Sequence, residues 1–177
     1  MNNSIVEIEL DLEDNEWEAE YVDHDREIVR AIVFDENNSF YFVRVDRNDD
    51  FGKAVLIETA GGGVESEENP ESAVRRELKE ELGVSVQVIC KIGVVRDYYN
   101  LIHRHNINNY YLCKVESVGE KQLTKDEIEC FHLSTLVLSY DEAVEEYESC
   151  RCTRLGRLIA NRELPILNAA KKIIDNM

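Results

Sequence analysis

The sequence predicts a mixed α/β fold, with helices laid on a sheet. Three observations carry that reading. Two β-branched, apolar segments, 28–34 and 40–45, flank the turn-type run Asp35-Glu36-Asn37-Asn38 and read as a hairpin. A helix bracketed by its own start and stop residues follows at 70–82. Further strand and helix patterns then succeed one another to the end of the chain.

The elements follow in order. After the hairpin, the acidic stretch 46–53 reads as a loop, and 54–57 as a third strand. Asn69 suits an N-cap, Pro70 the first helical position and Gly83 the residue that ends a helix, so 70–82 forms about three and a half turns. Strands are expected at 85–95 and 109–115. Ser139 and Glu142 make a capping-box pattern that opens a late helix. The last helix is expected over 163–174, where Leu164, Ile166, Leu167, Ala170, Ile173 and Ile174 recur at helical spacing. With 177 residues, two prolines, no Gly/Ser-rich linker and no repeat, one domain over 1–177 is expected.

Lys plus Arg total 20 against 37 Asp plus Glu, a net charge of -17. Such acidity argues against nucleic acid or an anionic membrane as partner. The start of the chain has no basic, apolar leader pattern, and no apolar run is long enough to span a membrane. Five cysteines, an odd number without disulfide-like spacing, read as reduced thiols and point to the cytoplasm. Residues 1–25 carry ten acids and no Lys or Arg, whereas 82–115 and 151–177 are locally basic. Counterbalance to an acidic body and an anion-facing patch both fit such runs.

The segment that carries chemistry is Gly61-Gly62-Gly63 with the helix behind it. Glycines after a strand let the backbone approach a ligand closely. In the helix, Glu77, Glu80 and Glu81 share one face beside the apolar stripe of Val74, Leu78 and Leu82. The acidic face therefore borders the packed one. Two like charges about 6 Å apart at partial burial cost roughly 3 kcal/mol, against a few tenths when exposed. A divalent cation is the natural compensation, and carboxylate oxygens suit Mg2+ or Mn2+. A solvated acidic helix is the bland alternative.

The full pattern greatly weakens that alternative. Gly62, Glu68, Arg76, Glu77, Leu78, Glu80, Glu81, Gly83 and Val84 fill every position of a signature, so that the segment 62–84 resembles the Nudix box. The resemblance implies an α/β/α sandwich around a central mixed β-sheet. It implies a pyrophosphohydrolase that cuts the P–O–P bond of a nucleoside diphosphate linked to another moiety, with Mg2+ or Mn2+. It also implies Glu80 and Glu81 as metal ligands, Glu77 as ligand or general base, and the Gly61 carbonyl as a backbone ligand. Arg76 would orient the glutamates by pairing with Glu68, with Gly62 and Gly83 structural. Members often pair through N-terminal strands, so a homodimer is expected.

Outside the box, family members often recruit a later acid. Glu127, in the run 124–129, is the candidate, although that run reads first as a solvated loop. Arg96, Tyr99 and Arg104 are candidates for holding phosphate or stacking on a base. Alternation places one of Tyr98 and Tyr99 in the core instead. Ala60 stands where many relatives have proline, which leaves the substrate open. A nucleotide-sensing module without turnover is the second reading, and the intact glutamate set speaks against it.

Overall fold

The computed structural model describes residues 7–177. Residues 1–6, part of the acidic segment and of the stretch in which a leader was sought, lie outside the described residues. The elements run β1 (Ile8–Leu12), β2 (His24–Phe34), β3 (Phe40–Asp49), β4 (Gly52–Glu58), β5 (Gly61–Gly63), α1 (Pro70–Leu82), β6 (Val84–Tyr99), β7 (Arg104–Val118), α2 (Lys125–Glu129), β8 (Ser134–Leu138), α3 (Tyr140–Ser149) and α4 (Arg154–Asp175).

The strands form one mixed sheet in the order β1-β6-β7-β2-β3-β4, in which β1 runs parallel to β6 and β2 parallel to β7. Side chains alternate across the sheet, so β2 feeds two cores. Val29, Ala31 and Val33 join Ala73, Val74, Leu78 and Leu82 of α1 on one face. Ile32 and Phe34 join Tyr147 of α3 and Leu155, Ile159, Ile166 and Leu167 of α4 on the other. The result is the α/β/α sandwich.

Local chemistry sets the bounds of α1. The Asn69 side chain accepts from Ser72 N–H at 2.9 Å, Pro70 opens the helix, and Gly83 closes it at φ 70°, a left-handed conformation that suits glycine. The expected capping box of α3 is present, with both the Ser139 and the Glu142 bonds made.

Two expectations need correcting. The acidic stretch 46–53 is not a loop: β3 continues to Asp49 and turns at once into β4. The Asp49 carboxylate closes that turn by accepting from Phe51 N–H at 3.0 Å, and Gly52 takes φ 96°. The last helix does not begin at 163. It begins after Thr153, whose hydroxyl accepts from Gly156 N–H at 3.0 Å, and it runs through Pro165. Proline deletes one rung of the helical ladder, but Leu155, Leu158, Ile159 and Ile166, buried on both sides of it, hold the helix together.

Four short elements, β1, β5, α2 and β8, have no counterpart in the sequence reading. In β1 the alternation Ile8-Glu9-Leu10-Asp11-Leu12 is a strand signal that the acid count obscured. The described acidic residues that follow it are tied to the body. Asp14 accepts from Asn100 N–H at 2.8 Å, and Glu16 takes two bonds of 2.7 Å from Arg157. Trp17 packs edge-on against Phe51, under Arg154. No helix among the described residues is long and apolar enough to cross a membrane, and all five cysteines are free thiols.

Candidate active site

β2 and β3 pair only beside their turn, at Val33–Tyr41 and Phe34–Phe40, and then part. Farther along β2, the glycine strand β5 pairs with Ile28, Val29 and Arg30 instead. A cleft of about 340 Å³ opens here. Its walls include Gly61, Gly62, Gly63, Glu77, Glu81 and Glu127, and also Arg26, Arg30, Arg47 and Arg104.

Close backbone approach at β5 requires glycine. A Cβ on Gly61, at φ 153°, would lie 2.0 Å from the Val29 carbonyl oxygen. The Gly61 N–H donates to Glu81 at 2.9 Å, which ties the strand to the helix. Arg76 holds the other acids. It meets Glu68 through two bonds of 2.9 Å, donates to Glu77 at 2.7 Å and Glu80 at 3.3 Å, and reaches the Gly63 carbonyl at 3.1 Å. This planar fork matches one carboxylate bidentately and still reaches two more, which a lysine could not do.

Electrostatics separate the three glutamates of α1. Burial pushes Glu81 up to about 8, with Glu77 and Glu127 adding to the effect, against the Gly61 N–H and the more distant Arg30, which favour its charged form. Burial also raises Glu77, outweighing the bond from Arg76. Glu80 faces Arg76 and is more exposed, outside the cleft wall. Among the described residues, no three acid, histidine or cysteine side chains already converge as a metal cage. The donor set nonetheless fits a hard divalent cation. It offers only oxygens, and the buried Glu81 carboxylate has no cationic partner among the described residues.

The outlying candidates divide. Glu127 does reach the cleft, on α2 rather than in a loop, and its carboxylate accepts from Thr124 N–H at 2.7 Å in a capping box. Arg104 lines the cleft as well. Arg96 does not; it faces Glu9 and Asp11 of β1 at 3.6 and 3.7 Å, because alternation turns it to the opposite side from Tyr99. Tyr99 belongs to the α4-side core, where its hydroxyl accepts from Arg162 at 2.8 Å. Sequence reading missed Arg26, Arg30 and Arg47. The two on β2 stand at i and i+4 with Ile28 between them, a period-2 pattern pointing to one face of the strand.

A buried polar network underlies the cleft. Arg162, fully buried, donates to Asp97 at 3.1 Å and to Glu163 at 3.0 Å. Glu163 also accepts from Tyr110 and from Thr59. Asp97 accepts from Asn108, which in turn accepts from Arg30 at 3.0 Å. Arg30 is thereby braced from α4 through the sheet.

Comparisons agree with this architecture. The NUDIX domain model matches residues 24–150. The 8-oxo-dGTP diphosphatase of Escherichia coli K12 is 41% identical over 61 residues, 34% of this chain and 46% of that protein, so the match spans about half of the relative. A NUDIX hydrolase from Nitrosomonas europaea superposes with TM-score 0.58 at 18% identity, over 70% of this chain and 78% of that one. The E. coli ORF135 protein superposes at 0.56 with 21% identity, over 84% and 90%. The MutT NUDIX hydrolase of Burkholderia pseudomallei superposes at 0.55 with 19% identity, over 67% and 86%. At such identities the superpositions speak for the fold alone, whereas the domain model covers well over half of the chain, box and cleft strands together: the chain belongs to the NUDIX family.

Proposed function

We propose that the protein is a metal-dependent pyrophosphohydrolase that cuts the P–O–P bond of a nucleoside diphosphate linked to another moiety. The observation that carries this reading is the convergence of Glu77, Glu81 and Glu127 on a cleft whose glycine strand packs against the helix bearing two of them. The Gly61 carbonyl, Glu77, Glu80 and Glu81 would hold Mg2+ or Mn2+. When bound, the ion would supply charge neutralisation for phosphate oxygens and acidify water. Arg76 fixes the carboxylates in place so that little reorganisation remains at the moment of reaction. Glu77, whose proton affinity burial raises, would take the proton of the attacking water; Glu127, with one oxygen on Thr124, is the alternative base.

The whole chain is proposed to act as one domain, in the cytoplasm, on a small molecule. A homodimer is proposed on family grounds only. Among the described residues, the N-terminal strand β1 stands at the sheet edge with β6 of its own chain on one side and no strand on the other, where a second copy would pair.

The test is turnover with Mg2+, and separately Mn2+, of a panel holding nucleoside triphosphates, ADP-ribose, nucleotide sugars, NADH and diadenosine polyphosphates, beside Glu80→Gln. Turnover of any member that vanishes in the variant supports the reading. Tight nucleotide binding by both proteins with no turnover overturns it in favour of a nucleotide sensor.

A further inference from the structure

The cleft gathers four guanidinium groups, from Arg26, Arg30, Arg47 and Arg104, in a protein of net charge -17. Two of them are accounted for. Arg30 lies 3.7 Å from Glu58 and is bonded to Asn108 and to the Thr59 carbonyl. Arg47 pairs with Asp49 and stacks over Phe51 and Phe131. Arg26 and Arg104 are different: neither has a carboxylate within ion-pair distance among the described residues. The Arg104 Nε is buried without a hydrogen-bond partner, and its guanidinium lies 5.4 Å over the Tyr99 ring.

The two are neighbours by register. Arg104 on β7 pairs with His24 on β2, and Arg26 is the next residue of β2 on the same face. The Arg26 guanidinium rests over Gly63, 3.6 Å from where a Cβ would stand, whereas the Glu77 carboxylate rests on Gly62. Consecutive residues of β5 thus meet the acidic group on one face and the cationic group on the other, and both groups line the same cleft. Burial, and then the nearby Arg26, push Arg104 below its ordinary value, so these cations sit together at a cost. A bound anion offsets such a cost.

We propose that Arg26 and Arg104 form an anion subsite that receives a phosphate of the substrate beyond the diphosphate that is cut. This rests on the pyrophosphohydrolase reading and narrows its substrate class to compounds with a further phosphate. That phosphate could come from a monoester on a ribose or from a longer polyphosphate chain, and the two are separated by matched substrates. Asn106, adjacent to Arg26 across the β2–β7 register, is fully buried with both amide atoms unpartnered, so the floor behind the two arginines has unused polar capacity as well.

The experiment has two arms. In the first, kcat/KM is compared for NADPH against NADH and for diadenosine tetraphosphate against diadenosine diphosphate, in the wild type, Arg26→Gln and Arg104→Gln. The member with the extra phosphate is expected to be preferred in at least one pair, by roughly tenfold or more, and the preference to shrink in both variants. The pair that shows it names the source. A ratio near one in both pairs, or a ratio unchanged by the substitutions, overturns the proposal. The second arm needs no turnover: metal-free protein is titrated calorimetrically with inorganic tripolyphosphate. Binding that weakens roughly tenfold in each Gln variant, and less in Arg104→Lys, upholds the subsite even if no substrate in the panel turns over. No binding to the wild type, or equal binding to all forms with circular dichroism showing them folded, overturns it.

Discussion

Gly62 lies directly against the Glu77 carboxylate: a Cβ on residue 62 would stand 2.5 Å from Oε1 and 2.6 Å from Cδ. Arg76 holds that carboxylate at 2.7 Å, so it has little room to yield. Gly62→Ala is therefore expected to displace Glu77 rather than unfold the chain. A displacement near 1 Å costs about 10²-fold in rate. Steady-state kinetics should show kcat down by roughly that factor, with a melting temperature close to wild type. Unchanged kcat would show that Glu77 does not need this position.

Divalent metal is expected to stabilise the protein without any substrate. An ion that binds the folded state alone adds about 2.7 kcal/mol at a hundredfold excess over its Kd, so Mg2+ or Mn2+ should raise the melting temperature. In Glu81→Gln the shift should largely disappear. The variant itself should lose no metal-free stability, because its side-chain oxygen can still accept from Gly61 N–H and no buried charge remains. A full metal shift in Glu81→Gln would remove Glu81 from the ligand set.

The box was legible in the sequence because its signals are local. Asn69, Pro70 and Gly83 each act within a turn of the helix end, and Arg76 meets Glu77 and Glu80 on one helix. The opposite wall was not legible. Arg26, Arg30 and Arg104 are assembled by pairing β2 with β7 in parallel, a contact between residues roughly eighty positions apart. Spacing cannot announce such a pairing. Arg96 and Tyr99 show the same limit: one faces β1 acids and the other a buried arginine of α4. The last helix is read from the apolar spacing of Leu164 to Ile174, whereas its first turns, 154–163, are set by the Thr153 cap and by burial on both sides of Pro165.

Arg162 anchors a buried set of charges, in contact with both Asp97 and Glu163. Removing it in Arg162→Met leaves Asp97 and Glu163 buried and without their guanidinium partner. Breaking one side of a buried ion pair costs about 3–5 kcal/mol. Urea unfolding should show a loss of that size. Activity should fall further than folded fraction accounts for, because Arg30 at the cleft is held through Asn108 and Asp97. A loss below about 1 kcal/mol, the size of a surface pair, would mean that the network is relieved by water.

Glu16 makes the acidic N-terminal segment part of the fold, and pH exposes the connection. The two bonds from Arg157 hold its carboxyl below the usual range. A carboxylate depressed in the folded state contributes stability above its unfolded pKa and loses it as pH falls through the folded one. The wild type should therefore melt higher than Glu16→Gln at pH 7, and the gap should close on acidification from about pH 5 to pH 3. Arg157→Gln should close the same gap at pH 7, since the bond needs both partners. A gap that stays constant over this window would assign the effect of the substitution to packing beside Trp17 rather than to the ion pair.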